Sequence, residues 1–230
     1  MTADLVKAAL QQVSDPERVH KMKRFYKTGP GGYAEKDQFM GVSVPQSRKI
    51  SKEFSSLPFK EIELLITSSI HEHRLTALLI LVIQFKKKEM QKDIFNFYIS
   101  HMAYINNWDL VDTSAPHIIG AYLFEKEKDL LFQLAFSKSL WDRRIALLST
   151  FYEIRKKKFI TSMEIIQILL LDKEDLIHKA VGWALKEIGE KDLEILENFL
   201  KKNASHMART SLRYAIEHLS EDKRKFYLKL

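Results

Sequence analysis

Cysteine is absent from this chain of 230 residues, and glycine (7) and proline (5) are scarce. Without cysteine there is no disulfide, no thiolate-bound zinc, no cysteinyl iron–sulfur cluster and no cysteine nucleophile. So few glycines and prolines leave room for few tight turns, which argues against a sandwich or barrel of many short strands. Long apolar runs are missing too. The longest, Ala77 to Ile83, is far short of the roughly 20 residues that span a bilayer. Met1 to Leu10 carries Asp4 and has no extended apolar core, so no signal peptide is expected there.

What remains is a helical pattern in a basic chain. Hydrophobic residues make up 46% and charged residues 29%, ordinary for a globular protein, and the net charge of +7 favours a polyanionic partner, nucleic acid first. Apolar residues recur with a period of 3.6. Leu176, Ile177, Ala180, Val181, Ala184, Leu185 and Ile188 form one stripe; Leu110, Val111, Ala115, Ile118, Ile119 and Tyr122 form another, with Ser114 inside it. Polar clusters such as Asn106-Asn107, Ser137-Lys138-Ser139, Gly189-Glu190-Lys191-Asp192 and Ser220-Glu221-Asp222 punctuate the helices as boundaries or caps.

The helices also repeat. Arg74, Asp109, Arg144, Lys179 and Arg213 stand 35, 35, 35 and 34 residues apart, each in the second helix of a candidate hairpin. A helical-hairpin period of this size predicts an all-α, right-handed α-solenoid of HEAT-like repeats, one domain over residues 1–230 that is less regular over about 1–55. In such a stack the repeating residues are expected to line one face, basic but for Asp109. The Gly29-Pro30-Gly31-Gly32 stretch is not a P-loop, since no Gly-Lys-Ser/Thr follows and no strand precedes it. It reads as a helix-joining loop or as a glycine backbone approaching a phosphate.

Trp108 and Asp112 lie one turn apart and share a helix face, with Asp112 at the edge of its apolar stripe. They read as a site, or as core and cap, because Asn107, Asp109 or Asp112 could each cap a helix. Trp183 lies roughly 110° from its stripe centre, between Lys179 and Lys186, which suits stacking on a base, sugar or cation, or packing on an adjacent hairpin. Arg143 and Arg144 open a helix after Trp141 and read as phosphate contacts or as a solvated face. Arg209 and Arg213 belong to a basic segment near the end. His71 and His73 are two residues apart and so point to different faces of a helix; no metal site is expected there.

Asn107-Trp108-Asp109-Leu110-Val111-Asp112 with Ala115-Pro116, then Trp141-Asp142-Arg143-Arg144, then Lys179-Ala180-Val181-Gly182-Trp183-Ala184-Leu185-Lys186-Glu187 resemble, in order and spacing, the AlkD family of DNA alkylation repair glycosylases. The resemblance implies HEAT-like repeats around duplex DNA and hydrolysis of the N-glycosidic bond of N3- or N7-alkylated purines by a monomer, without metal or cofactor. It implies Asp112 as the catalytic carboxylate, Trp108 and Trp183 as walls beside the lesion's deoxyribose, Arg144 near a phosphate and Arg213 as a DNA contact. Arg143, Lys179, Lys186 and Arg209 are counted with the DNA contacts. A cytoplasmic protein, on the nucleoid when bound, is expected. The Gly29–Tyr33 loop departs from the family pattern. The alternative is a non-catalytic solenoid that binds damaged or branched DNA, or a protein partner.

Overall fold

The computed structural model describes residues 1–230 and is helical throughout; the one strand-like feature is an isolated parallel bridge between Gln38 and Ile70. In chain order the helices are α1 (Ala3–Gln12), α2 (Pro16–Phe25), α3 (Val44–Glu53), α4 (Phe59–Ile66), α5 (His71–Gln84), α6 (Gln91–Ser100), α7 (Trp108–Ser114), α8 (Ala121–Leu123), α9 (Asp129–Ala135), α10 (Leu140–Ser149), α11 (Phe151–Arg155), α12 (Ile160–Leu169), α13 (Asp175–Lys191), α14 (Leu193–Asn203), α15 (Arg209–Ala215) and α16 (Glu221–Lys229). Two compact units divide the chain, residues 1–118 and 119–230.

In the first unit α5 is the central element. It packs against α3, α4, α6 and α7, and nearly every residue from His71 to Leu81 is buried. Of the apolar run Ala77–Ile83, Ala77 to Leu81 is core and Val82 and Ile83 are half-buried. No helix of the chain is long and apolar enough to cross a membrane. Between α2 and α3 the chain turns through the Gly29–Gly32 loop. Gly31 has a positive φ of 74°, and its N–H donates to the Glu35 carboxylate at 3.1 Å. The loop joins α2 to α3, and the Glu35 carboxylate takes the Gly31 N–H that a phosphate would need.

The second unit shows the repeat plainly. Hairpins α9/α10 and α12/α13 follow one another, α10 packs on α13, and α14 and α15 both pack on α13. This is the succession of an α-helical repeat, in which each hairpin buries its apolar stripe against its neighbours. The stripe read from sequence is the buried one: Ile177, Ala180, Val181, Ala184, Leu185 and Ile188 are all core, with Leu176 at its rim. Boundaries follow the cap residues. Ser139 accepts the N–H of Asp142, and Asp192 accepts that of Ile195. Between α10 and α11 the side chains of Ser149 and Thr150 donate back to the Ile145 and Leu147 carbonyls, a competing bond of the kind that bends helices.

Gly182 explains one letter of the repeat. A Cβ there would lie 2.4 Å from the Ser211 carbonyl oxygen and 2.5 Å from the Tyr214 Cβ, so α13 and α15 approach as they do because the position lacks a side chain. Gly182→Ala should lower stability by about 2 kcal/mol, the strain of overpacking outweighing the gain in helix propensity. Denaturant unfolding checks this; a variant as stable as the parent would show that the two helices separate without strain.

Candidate functional site

The first unit holds Trp108 and Asp112 at opposite ends of one turn of α7, both half-buried. Asn107 is the cap: its side-chain oxygen accepts the Trp108 N–H at 2.8 Å. Asp109 does not cap; it points inward, into a network of buried charge. Its Oδ2 accepts from the Tyr26 hydroxyl at 2.9 Å and faces His71 Nε2 at 2.8 Å. On the other side of the imidazole, Nδ1 lies 3.3 Å from Asp37 Oδ2, while Arg74 Nη2 donates to Asp37 Oδ1 at 2.6 Å and Asn107 Nδ2 donates to Asp37 Oδ2 at 3.2 Å. Next to it Glu72, fully buried, accepts the backbone N–H groups of Met40, Gly41 and Val42.

These contacts set the protonation of the network. Burial by itself pushes the His71 imidazole down; the Asp109 carboxylate, helped by Asp37, outweighs it and holds the ring protonated, with a pKa of about 9. Burial also favours the neutral Asp37, but its hydrogen bond with His71 and the charge of Arg74 keep it below the usual carboxylate range. The Tyr26 phenol is held protonated by burial and by the Asp109 charge. His73, two residues from His71 and on another side of α5, has only Ser68 beside its Nδ1; burial, then Lys7 and Arg74, push it down to about 4.

Trp108 stands on this base. Its ring stacks on Tyr26 with centroids 5.5 Å apart and planes 21° apart, and meets the exposed Phe25 edge-on at 5.6 Å. Its Nε1–H donates to the Tyr33 hydroxyl at 3.1 Å. Four residues on, Asp112 is close enough to Tyr98 for its charge to help hold that buried phenol protonated, after burial itself. Pro116, which has no N–H to give the Asp112 carbonyl four residues back, opens a π-helical turn, Pro116–Gly120.

The second unit carries the other residues singled out by sequence. Trp183 is half-buried: it meets Phe151 edge-to-face at 4.6 Å, and its Nε1–H donates to Glu187 at 3.0 Å. Packing on the adjacent hairpin therefore accounts for one edge of it. Arg144 is buried, and its Nη1 donates to the Leu176 carbonyl. Arg143 binds Asp172 through Nε at 2.6 Å and the Ser137 and Lys138 carbonyls through Nη1, so it ties its own helix start to the loop before α13. Lys179 pairs with Asp175, Lys186 with Glu217, and Arg209 donates to the Leu228 carbonyl. Arg213 is exposed.

The repeat ladder therefore needs correcting. Arg74, Asp109 and Arg144 do not line an open basic face; each is at least nine-tenths buried. A period identifies equivalent positions but not which side of the second helix meets a neighbour, and here the three face inward, where Arg74 binds Asp37, Asp109 meets Tyr26 and His71, and Arg144 binds the Leu176 carbonyl. Tyr26, Tyr33, Asp37 and His71 were not singled out as site residues. Their signal was available in part: His71, Glu72 and Arg74 crowd the head of an otherwise apolar helix, and buried charge needs partners.

The profile of the family described as "DNA alkylation repair enzyme" matches residues 6–219. The chain belongs to the DNA alkylation repair enzyme family. No curated protein sequence matches it. A solved structure described as a predicted DNA alkylation repair enzyme from Enterococcus faecalis is similar, with 18% identity, a TM-score of 0.69, and coverage of 90% of this chain and 97% of that one. That likeness bears on the fold, which is the α-helical repeat fold of the family. Membership gives the chain a general role in DNA alkylation repair and implies DNA as its substrate.

The His71 network makes a measurable signature for this family member. With a folded pKa of about 9 against about 6.5 unfolded, the contribution of His71 to stability is present in full below pH 6.5 and is lost as pH rises through 9. Proton NMR of the imidazoles should show His71 titrating near 9 and His73 near 4, and the denaturation midpoint should fall between pH 7 and pH 10 more in the parent than in His71→Gln. A His71 ring that titrates near 6.5 would mean that Asp109 and Asp37 do not hold it.

Proposed function

We propose that the protein is a monofunctional DNA glycosylase that hydrolyses the N-glycosidic bond of N3- or N7-alkylated purines in duplex DNA. Asp112 would be the catalytic carboxylate. Trp108 and Trp183 would be aromatic walls for the deoxyribose, and Arg144, buried and donating to the Leu176 carbonyl, would have to turn outward to act as the cationic partner near the phosphate. The observation that supports this reading best is the pairing on α7 of a half-buried carboxylate with a half-buried tryptophan one turn away, in a member of a DNA alkylation repair family.

The chemistry suits those groups. A purine alkylated at N3 or N7 is already cationic, so it departs as a neutral base and needs no strong general acid. The charge that develops sits on the sugar. An anionic Asp112 in poorly solvated surroundings stabilises this oxocarbenium character and orients the attacking water, while an indole face favours the same cation. Water adds to C1′, the C1′–N bond breaks with its electron pair going to the base, and the proton of the water is lost to solvent or to the carboxylate. No step calls for a metal or cofactor.

Among the cations, Arg209 and Arg213 are exposed; Arg209 already donates to the Leu228 carbonyl, so Arg213 is the better placed to meet a phosphate, and Arg143, Lys179 and Lys186 would have to leave or share their present partners to do so. Affinity for duplex DNA should fall steeply with salt, and Arg213→Ala should reduce the salt slope by about one while weakening binding to all sequences alike.

The decisive variant is Asp112→Asn, which keeps the shape and removes the charge. Single-turnover release of 7-methylguanine should slow by roughly 10²-fold or more, the scale of one preorganised electrostatic partner, with the circular dichroism spectrum unchanged. Trp183→Ala should cost less, since the anion remains. A folded Asn variant that excises at the parental rate would make Asp112 a structural residue and the assignment wrong. Tight binding of duplex DNA without release of base by the parent would favour the non-catalytic solenoid.

A further inference from the structure

We propose that Tyr33 is a positioning residue for Trp108, and that the loop bearing it, residues 28–37, sets the indole plane that this protein presents to DNA. The proposal rests on the excision reading above and adds to it a residue that does not itself touch the reacting atoms.

Trp108 has one polar group, its Nε1–H, and that group is committed to the Tyr33 hydroxyl at 3.1 Å. One ring face is committed to Tyr26, stacked at 5.5 Å. Behind Tyr26 the stack continues through Phe39 (5.0 Å, 19°) to the His71 imidazole (4.8 Å from Phe39, 27°). A half-buried indole at the start of a short helix would otherwise have several rotamers open to it; one contact on its face and one on its edge leave a single orientation. Both holders are anchored to the same buried charges. Tyr26 bonds Asp109, and the loop that carries Tyr33 ends on Asp37, which is held by His71, Arg74 and Asn107.

The glycines are what let the loop reach. Gly31 has a positive φ, and a Cβ on Gly32 would lie 1.8 Å from the Lys27 carbonyl oxygen. With its N–H taken, Trp108 offers a ligand only π-surface and C–H edge. Such a wall suits an apolar or cationic sugar face and cannot read the polar edge of a base by hydrogen bonding. The loop then governs how selective the wall is: it hides the one donor that would discriminate.

Tyr33→Phe deletes the hydroxyl alone. In ¹⁵N-labelled protein the Trp108 indole N–H resonance should shift and exchange faster, while those of Trp141 and Trp183 stay. Single-turnover release of 7-methylguanine should slow about threefold to tenfold, the scale of one neutral hydrogen bond, with the affinity for duplex DNA unchanged. In a Trp108→Phe background, which has no N–H to hold, adding Tyr33→Phe should change nothing further. An unmoved Trp108 N–H overturns the proposal even if excision slows. A displaced indole with an unchanged excision rate overturns the role of this contact in the reaction. If the parent protein releases no base, the excision reading fails and this role in excision falls with it, while the indole resonance reports separately whether Tyr33 holds Trp108.

Discussion

The imidazolium of His71 between two carboxylates is the contact on which the first unit turns. Asp109 belongs to α7, Asp37 to the loop before α3, and His71 to α5, so one buried cation joins three parts of the chain far apart in sequence. Removing one of these charges would leave its buried partners with less compensation, which costs more than the pair contributes to stability. Arg74 balances the second carboxylate, so the four groups together are close to neutral. Glu72 does different work beside them: by taking three successive backbone N–H groups it fixes the Met40–Val42 stretch that lacks a helix or strand to satisfy it. A glycine is required there as well, because a Cβ on Gly41 would lie 2.0 Å from the Asp15 carbonyl oxygen.

Much of this fold was legible in the sequence. The 3.6-residue stripes of α7 and α13 are the buried faces, the Ser-, Asn- and Asp-bearing breaks are helix caps, and the mid-thirties period does mark successive hairpins. What spacing could not supply was the sense of the ladder. Arg74, Asp109 and Arg144 are equivalent in the repeat, yet a repeat position can point to solvent or to the next hairpin with the same period. Their burial is decided by long-range partners such as Asp37, 37 residues from Arg74, and no local pattern announces those. The Gly29–Gly32 loop is a similar case. Its composition is compatible with a phosphate cradle, and composition gives no sign that Glu35 takes the Gly31 N–H.

The candidate site was legible in its residue types and not in its support. Trp108 and Asp112 one turn apart are visible from sequence; that Trp108 has its N–H and one face already occupied is not, because Tyr33 and Tyr26 come from a segment some 80 residues earlier. Trp183 lies off its stripe as the wheel suggests, but Phe151 claims one of its edges. Several cations that looked available for phosphates are engaged within the protein, Arg143 most firmly. Net charge therefore overstates the free basic surface of the second unit, and the repair chemistry proposed here leans on aromatic faces and a single carboxylate more than on a continuous basic track.

The most direct test of that chemistry is to follow the base itself. Duplex DNA carrying one 7-methylguanine, incubated with excess protein, should yield free intact 7-methylguanine and one abasic site for each base released, in a single turnover. DNA that is bound but loses no base and gains no abasic site would contradict the account.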